Sequence, residues 1–184
     1  MTPGTRPVQN GNRYQSQGGG IIMKKMLIVN ADVCIGCRMC EAVCSLVHYG
    51  AIGISHARLK VVRHDDVAFF NPVVCVQCEV PYCASVCPSK AISKNPETGV
   101  VKVSKKKCTG CKMCLTACPF GAMGFVEDVA IKCDLCGGKP SCVEFCQAKA
   151  LAYGVPDDIS DAKKISLSNK VLEIHKDKLS SQRE

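Results

Sequence analysis

The chain has 184 residues, with 24 Lys plus Arg against 16 Asp plus Glu, 16 cysteines and no tryptophan. Such cysteine density marks disulfide-stapled secreted scaffolds, yet the apolar stretch Ile21 to Val29 is split by Lys24 and Lys25, no A-x-A-like cleavage site follows, and no run approaches bilayer length. These features exclude an ordinary secreted or membrane-spanning protein and predict a cytoplasmic one of one domain, or two small ones sharing a core, in which dense cysteine means metal.

Residues 1–25 hold Arg6, Arg13, Lys24 and Lys25 and no acid, so they supply +4 of the formal +8. Their Gly, Gln, Asn and Pro cannot bury a core, which predicts a disordered or non-native N-terminal extension. Gly18 to Gly20 require GGN codons just upstream of Met23, as a translated ribosome-binding site would, so Met23 or Met26 is the expected natural start. Residues 26–154 carry every cysteine and a further +4. Residues 155–184 hold six charges of each sign, with Ile165, Val171, Leu172, Ile174 and Leu179 irregularly spaced. That segment reads as a partner-docking strap or a flexible tail.

Between the ends the cysteines fall into four groups of four. They are Cys34-x2-Cys37-x2-Cys40-x3-Cys44, then Cys75-x2-Cys78-x4-Cys83-x3-Cys87, then Cys108-x2-Cys111-x2-Cys114-x3-Cys118, and finally Cys133-x2-Cys136-x5-Cys142-x3-Cys146. The text after each of the last three also repeats: Pro88-Ser-Lys-Ala-Ile92, Pro119-Phe-Gly-Ala-Met123 and Gln147-Ala-Lys-Ala-Leu151. One unit used four times is the organising feature. Between the second and third groups, Asn95-Pro-Glu-Thr-Gly99 predicts a turn and Val100 to Ser104 an alternating strand.

The third group matches the run C-x2-C-x2-C-x3-C-P, whose fourth cysteine serves the other cluster of a two-cluster ferredoxin. Three thiolates two residues apart sit on one tight loop able to wrap a cubane, and Gly36 and Gly110 suit the positive φ and close approach of such a loop. The fourth cysteine is expected to begin a helical segment leading away, with the following proline in its first turn. Zinc prefers two separated C-x2-C pairs. Disulfides need paired Cα geometry that crowded loops supply poorly. A catalytic cysteine has no thiol left over, since all sixteen divide into four tetrads. The pattern therefore predicts [4Fe-4S] clusters. Spacing alone does not fix how the groups pair, although Cys-Pro after the second and third groups only is what matched inner and outer pairs would produce.

Residues 26–154 resemble the four-cluster, dicluster-type ferredoxin subunits of molybdenum and tungsten oxidoreductases. The resemblance rests on all four motifs in order, including Gln77-Cys-Glu-Val-Pro-Tyr-Cys83 and Lys132-Cys-Asp-Leu-Cys136. It implies an α+β fold of two interleaved ferredoxin-like modules, each binding two [4Fe-4S] clusters. The outer module would be 26–74 plus 119–154 and the inner one 75–118. It also implies four ligand sets: Cys34, Cys37, Cys40 and Cys146; Cys44, Cys133, Cys136 and Cys142; Cys75, Cys78, Cys83 and Cys118; Cys87, Cys108, Cys111 and Cys114. The segment Val33 to His48 is similar to the iron–sulfur subunit of tungsten aldehyde oxidoreductases and of tungsten-type benzoyl-CoA reductases. A non-catalytic electron-transfer subunit follows, passing single electrons between a tungsten or molybdenum pterin subunit and a redox partner such as a flavin- or NAD-linked subunit or a ferredoxin. The competing readings are a free-standing polyferredoxin, or the equivalent subunit of a formate dehydrogenase, hydrogenase or carbon monoxide dehydrogenase.

Among the remaining residues, His48 lies four positions after Cys44 and could hydrogen-bond a cluster sulfur, or face a partner or solvent. Lys105 to Lys107 read as solvated charge at a strand end or as a docking patch for an acidic redox partner. Only nine aromatics exist, and Phe69, Phe70, Tyr82 and Phe120 fall near the motifs, so nucleic acid is not an expected partner. Each oxidised cluster with four thiolates carries about −2, so four of them would offset the formal +8.

Overall fold

A computed structural model describes residues 24–156, and the expectations for the translation start and for the C-terminal tail lie outside the described residues. The architecture is a small mixture of helices and strands. It comprises β1 (Met26–Val29), α1 (Met39–Tyr49), β2 (Lys60–His64), β3 (Phe69–Val73), α2 (Tyr82–Ser85) and β4 (Ile92–Lys94). These are followed by β5 (Val101–Val103), α3 (Met113–Thr116), β6 (Gly124–Val126), β7 (Val129–Ile131), α4 (Ser141–Glu144) and β8 (Leu151–Gly154).

The fourfold sequence repeat becomes a closed cycle. Each cysteine motif sits between an incoming strand and an outgoing one, and each outgoing strand pairs antiparallel with the strand that leads into the next motif. Thus β2 pairs with β3, β4 with β5 and β6 with β7, and β8 returns to pair with β1, setting Leu27 against Tyr153 and Val29 against Leu151. Asn30 N–H extends that last ladder to the Ala150 carbonyl at 2.8 Å. The expected turn and strand are present: Asn95 Oδ1 accepts from the N–H groups of Glu97 and Thr98 at 2.8 and 2.9 Å, and the chain then enters β5.

Backbone conformation repeats as well. The residue before each second cysteine is left-handed: Gly36 at φ 67°, Gln77 at 51°, Gly110 at 74° and Leu135 at 59°. A Cβ on Gly36 would meet the Phe70 ring at 2.7 Å, so this position requires glycine for space as well as for conformation. The repeated text after the fourth cysteines forms one turn three times: the N–H groups of Lys90, Gly121 and Lys149 reach the carbonyls of Cys87, Cys118 and Cys146 at 3.2, 3.3 and 3.0 Å.

The helices correct one expectation. Each begins one residue before the third cysteine of its motif, and α2, α3 and α4 end before the fourth, which therefore follows a helix instead of starting one. The physical reason is the C-x3-C interval, about one helical turn long, after which Pro88 and Pro119 cannot continue the helix. Helix α1 alone runs on past its fourth cysteine to Gly50, whose N–H reaches the Leu46 carbonyl at 2.8 Å.

Two buried clusters underlie the hairpins. One gathers Leu27, Val43, Leu59, Val61, Val74, Leu135 and Leu151 with Cys40, Cys44, Cys75, Cys133 and Cys142. The other gathers Cys83, Ile92, Val101, Cys114 and Ala130, with Met123 and Phe125 packed against it. Aliphatic side chains are few and small, and cysteines make up much of both clusters. Among the described residues no helix is long and apolar enough to cross a membrane.

Candidate metal centre

All sixteen cysteines are free thiols, and the fold gathers them into groups that cross the sequence motifs. Cys75, Cys78 and Cys83 line one cavity together with Cys118, which arrives from the third motif at the end of α3. Tyr82 and Phe120 close its walls, and Lys132 reaches in. A second cavity is lined by Cys108, Cys111 and Cys114 with Cys87 from the second motif, and by Lys112. Each cavity thus presents four sulfurs, mostly apolar walls and one ammonium, and no carboxylate.

Several of the remaining cysteines also influence one another across motifs. Burial pushes Cys40 up to about 12, and the Glu41 carboxylate and the nearby thiols of Cys37 and Cys146 add to that rise. Burial likewise raises Cys142, with further contributions from Cys133, Cys44, Cys136 and Cys40. Cys34 follows the short turn Ala31–Val33, its N–H on the Ala31 carbonyl at 3.1 Å.

Across the groups, three pairs of thiols also feel one another: Cys40 and Cys142, Cys133 and Cys75, and Cys114 and Cys83. Cys40, with Cys37 and Cys146 near it, thus adjoins Cys142, and the cavity of Cys75 and Cys83 adjoins both Cys133 and Cys114.

The donor set fits an iron–sulfur cubane. Burial holds Cys133 at about 12 as well, so these thiols are poor free nucleophiles and become thiolates only against a metal's positive charge. Backbone N–H groups face several sulfurs: Arg58 to Cys44 at 3.4 Å, Ala91 to Cys87 at 3.2 Å, Ala130 to Cys108 at 3.5 Å and Leu135 to Cys133 at 3.5 Å. Such donors stabilise charge on ligating sulfur. Cys87 shows the effect: desolvation opposes its ionisation, but hydrogen bonds from Ser89, Ala91 and Ile92 together bring it below the usual thiol range.

Charged residues brace the site. Glu41 is 0% exposed. It is paired with Arg38, receives the Val61 N–H at 3.1 Å and lies 3.6 Å from Lys60 Nζ, tying the first cysteine loop to β2. Arg58 donates from Nη1 to Asp134 at 2.5 Å, and His48 Nε2 stands 3.6 Å from both Asp134 Oδ1 and Cys136 Sγ. The structure therefore sets His48 beside a cysteine of the fourth motif. Lys105 to Lys107 are exposed, with Lys105 Nζ 5.1 Å from the centre of the Tyr49 ring. Sequence reasoning passed over Glu41, although a signal was there. The residue after the third cysteine is Glu41 in the first motif, against Ala84, Leu115 and Val143 in the others.

Comparison with known proteins agrees with this chemistry. Two family models match, each described as a 4Fe-4S dicluster domain, over residues 33–91 and 67–156. The chain is 42% identical over 143 residues to an Escherichia coli (strain K12) protein named "Putative electron transport protein YsaA", covering 70% of this chain and 88% of that one. It is 39% identical over 123 residues to the polyferredoxin-like subunit of aliphatic sulfonate oxidoreductase from Pyrococcus furiosus, covering 65% of this chain and 70% of that one. Among solved structures it is similar to a chain of the active site complex BamBC of benzoyl coenzyme A reductase, with 24% identity, a TM-score of 0.42, and coverage of 78% of this chain and 89% of that one. The cysteine cavities and the matching domains lead to one conclusion: this chain belongs to the 4Fe-4S dicluster ferredoxin family and is an electron-transfer iron–sulfur protein.

Proposed function

We propose that the chain is a non-catalytic subunit that carries four [4Fe-4S] clusters in a line and conducts single electrons between a catalytic subunit and a redox partner. In this reading the ligand sets are Cys34, Cys37, Cys40 and Cys146; Cys44, Cys133, Cys136 and Cys142; Cys75, Cys78, Cys83 and Cys118; and Cys87, Cys108, Cys111 and Cys114. The observation that carries it is the convergence of cysteines from different motifs on shared cavities, Cys118 with the second motif and Cys87 with the third. In this reading the modules interleave, which the pairing of β1 with β8 supports.

Iron–sulfur clusters supply one-electron oxidation and reduction at potentials set by their surroundings. The chain's own residues hold the sulfurs, aim N–H groups at them and keep water away with small apolar side chains. The catalytic partner we infer is a tungsten- or molybdenum-pterin oxidoreductase subunit. Support comes from the motif resemblance and from a relative whose name makes it a subunit of an oxidoreductase.

Anaerobic purification from the native host tests both halves. About four iron and four sulfide per cysteine tetrad, with a large tungsten- or molybdenum-containing subunit co-eluting, is the expected result. A lone chain with full iron content would favour the free-standing polyferredoxin, and zinc in place of iron would refute the cluster reading.

A further inference from the structure

Lys132 is 3% exposed, and its Nζ donates to Gln77 Oε1 at 3.2 Å, the Val101 carbonyl at 2.6 Å and the Cys133 carbonyl at 2.9 Å. All three partners can only accept, so the nitrogen carries three protons and a full positive charge. A buried cation is costly unless an anion answers it. Among the described residues no carboxylate lies within ion-pair distance of this one. The neighbours that can answer it are the cysteine groups. Lys132 lines the cavity of Cys75, Cys78, Cys83 and Cys118, while its own chain neighbour Cys133 belongs to the adjoining group.

Gln77 shows that the position is built. It occupies the left-handed site at which the first and third motifs carry Gly36 and Gly110, although it is no glycine. Its side chain is held at both ends: Nε2 donates to the Cys133 carbonyl at 2.9 Å, and Oε1 accepts from both Val101 N–H at 2.9 Å and Lys132. Both Gln77 and Lys132 therefore bridge the second motif to the fourth, at the middle of the line.

We propose that Lys132 is an internal counter-cation, held by Gln77, that raises the reduction potentials of the two central clusters and so sets the electron step between the outer and inner halves. The proposal rests on the four-cluster reading above. When a central cluster gains an electron from its neighbour it gains one negative charge, and the fixed ammonium stabilises that added charge. Nothing else moves: Lys132 keeps its three protons and no bond forms or breaks. Lys132 and Gln77 act through the clusters and are positioning residues.

The test is an EPR-monitored redox titration of the full-length, cluster-loaded protein. Wild-type iron and sulfide content is measured first, because a deficit there overturns the four-cluster reading independently of Lys132. With full content, Lys132→Met should disfavour reduction of two of the four clusters at least tenfold, about 59 mV for a one-electron couple, and leave the other two unchanged. Lys132→Arg should restore most of the shift. Gln77→Glu keeps the size of the side chain and sets a carboxylate against the ammonium, so it should lower the same two potentials while the iron content holds. If Lys132→Met fails to assemble its clusters, Gln77→Glu decides alone. Unchanged potentials in a fully loaded Lys132→Met or Gln77→Glu protein, or an equal shift in all four clusters, would overturn the proposal.

Discussion

His48 Nε2 lies 3.6 Å from Cys136 Sγ, although the two residues are 88 positions apart in the chain. The same nitrogen is 3.6 Å from Asp134 Oδ1. With Cys136 ligating a cluster as a thiolate, both neighbours of Nε2 would be acceptors, and the ring tautomer protonated at Nε2 would donate to the sulfur. A hydrogen bond to a ligating sulfur favours the more negative, reduced cluster. His48→Leu should therefore lower the potential of the cluster that Cys136 serves, by about 1 kcal/mol or roughly fivefold in the reduction equilibrium. A redox titration in which every cluster keeps its wild-type potential would show that His48 merely fills space.

Cys118 offers a direct check on ligand exchange between motifs. It stands in the third motif but lines the cavity of the second-motif thiols Cys75, Cys78 and Cys83. Cys118→Ser should remove or convert that cluster, with a loss of up to about four iron atoms, and leave the cluster of Cys87, Cys108, Cys111 and Cys114 intact. EPR of the reduced protein distinguishes the cases, and loss of the Cys108–Cys114 signal instead would mean that the motifs keep their own fourth cysteines.

How much of this was legible in the sequence depends on what each residue reveals by its type. The cysteine tetrads and their repeat could be read directly, because ligand spacing along a loop is a local property. Positive φ could be read at Gly36 and Gly110, where the residue itself betrays the conformation. The identical conformation at Gln77 and Leu135 was hidden, since neither residue type signals it. The helix starts were displaced toward the third cysteine because Cys-Pro was taken as an opening when it is an ending. The burial partners of Glu41 and Lys132 were opaque for a different reason. They are Val61, Gln77 and Val101, which are remote in sequence, and no local pattern encodes such contacts.

The close approach of Phe70 to Gly36 separates two costs that a glycine substitution usually mixes. Gly36 and Gly121 are both left-handed, at φ 67° and 60°, but a Cβ on Gly121 would meet nothing within 4 Å, while one on Gly36 would meet the Phe70 ring at 2.7 Å. Gly121→Ala should thus cost only the backbone term of about 1–2 kcal/mol. Gly36→Ala adds the ring clash and should disturb the loop of Cys34 and Cys37, with a lower yield of loaded protein. Adding Phe70→Leu should recover part of the Gly36→Ala deficit and none of the Gly121→Ala one. Iron content and thermal midpoints of the four variants measure this, and equal behaviour of the two alanines would refute the steric account.

Glu41 has two cationic partners of very different standing. Arg38 is 29% exposed and sits directly on the carboxylate, while Lys60 is 56% exposed at 3.6 Å. Removing the partner of a buried charge leaves an uncompensated ion and costs about 3 kcal/mol or more, whereas a solvent-screened partner contributes well under about 1 kcal/mol. Arg38→Ala should accordingly destabilise the loaded protein severely, and Lys60→Ala should be nearly silent. The Val61 N–H remains on Glu41 in both variants, so the contrast isolates the charge. Replacing Glu41 by Gln in the Arg38→Ala background removes the stranded charge and should recover part of the loss. Anaerobic denaturant unfolding of the loaded protein provides the comparison, and a double variant no more stable than Arg38→Ala would mean that packing of the arginine stem, and not charge, fixes the first cysteine loop to β2.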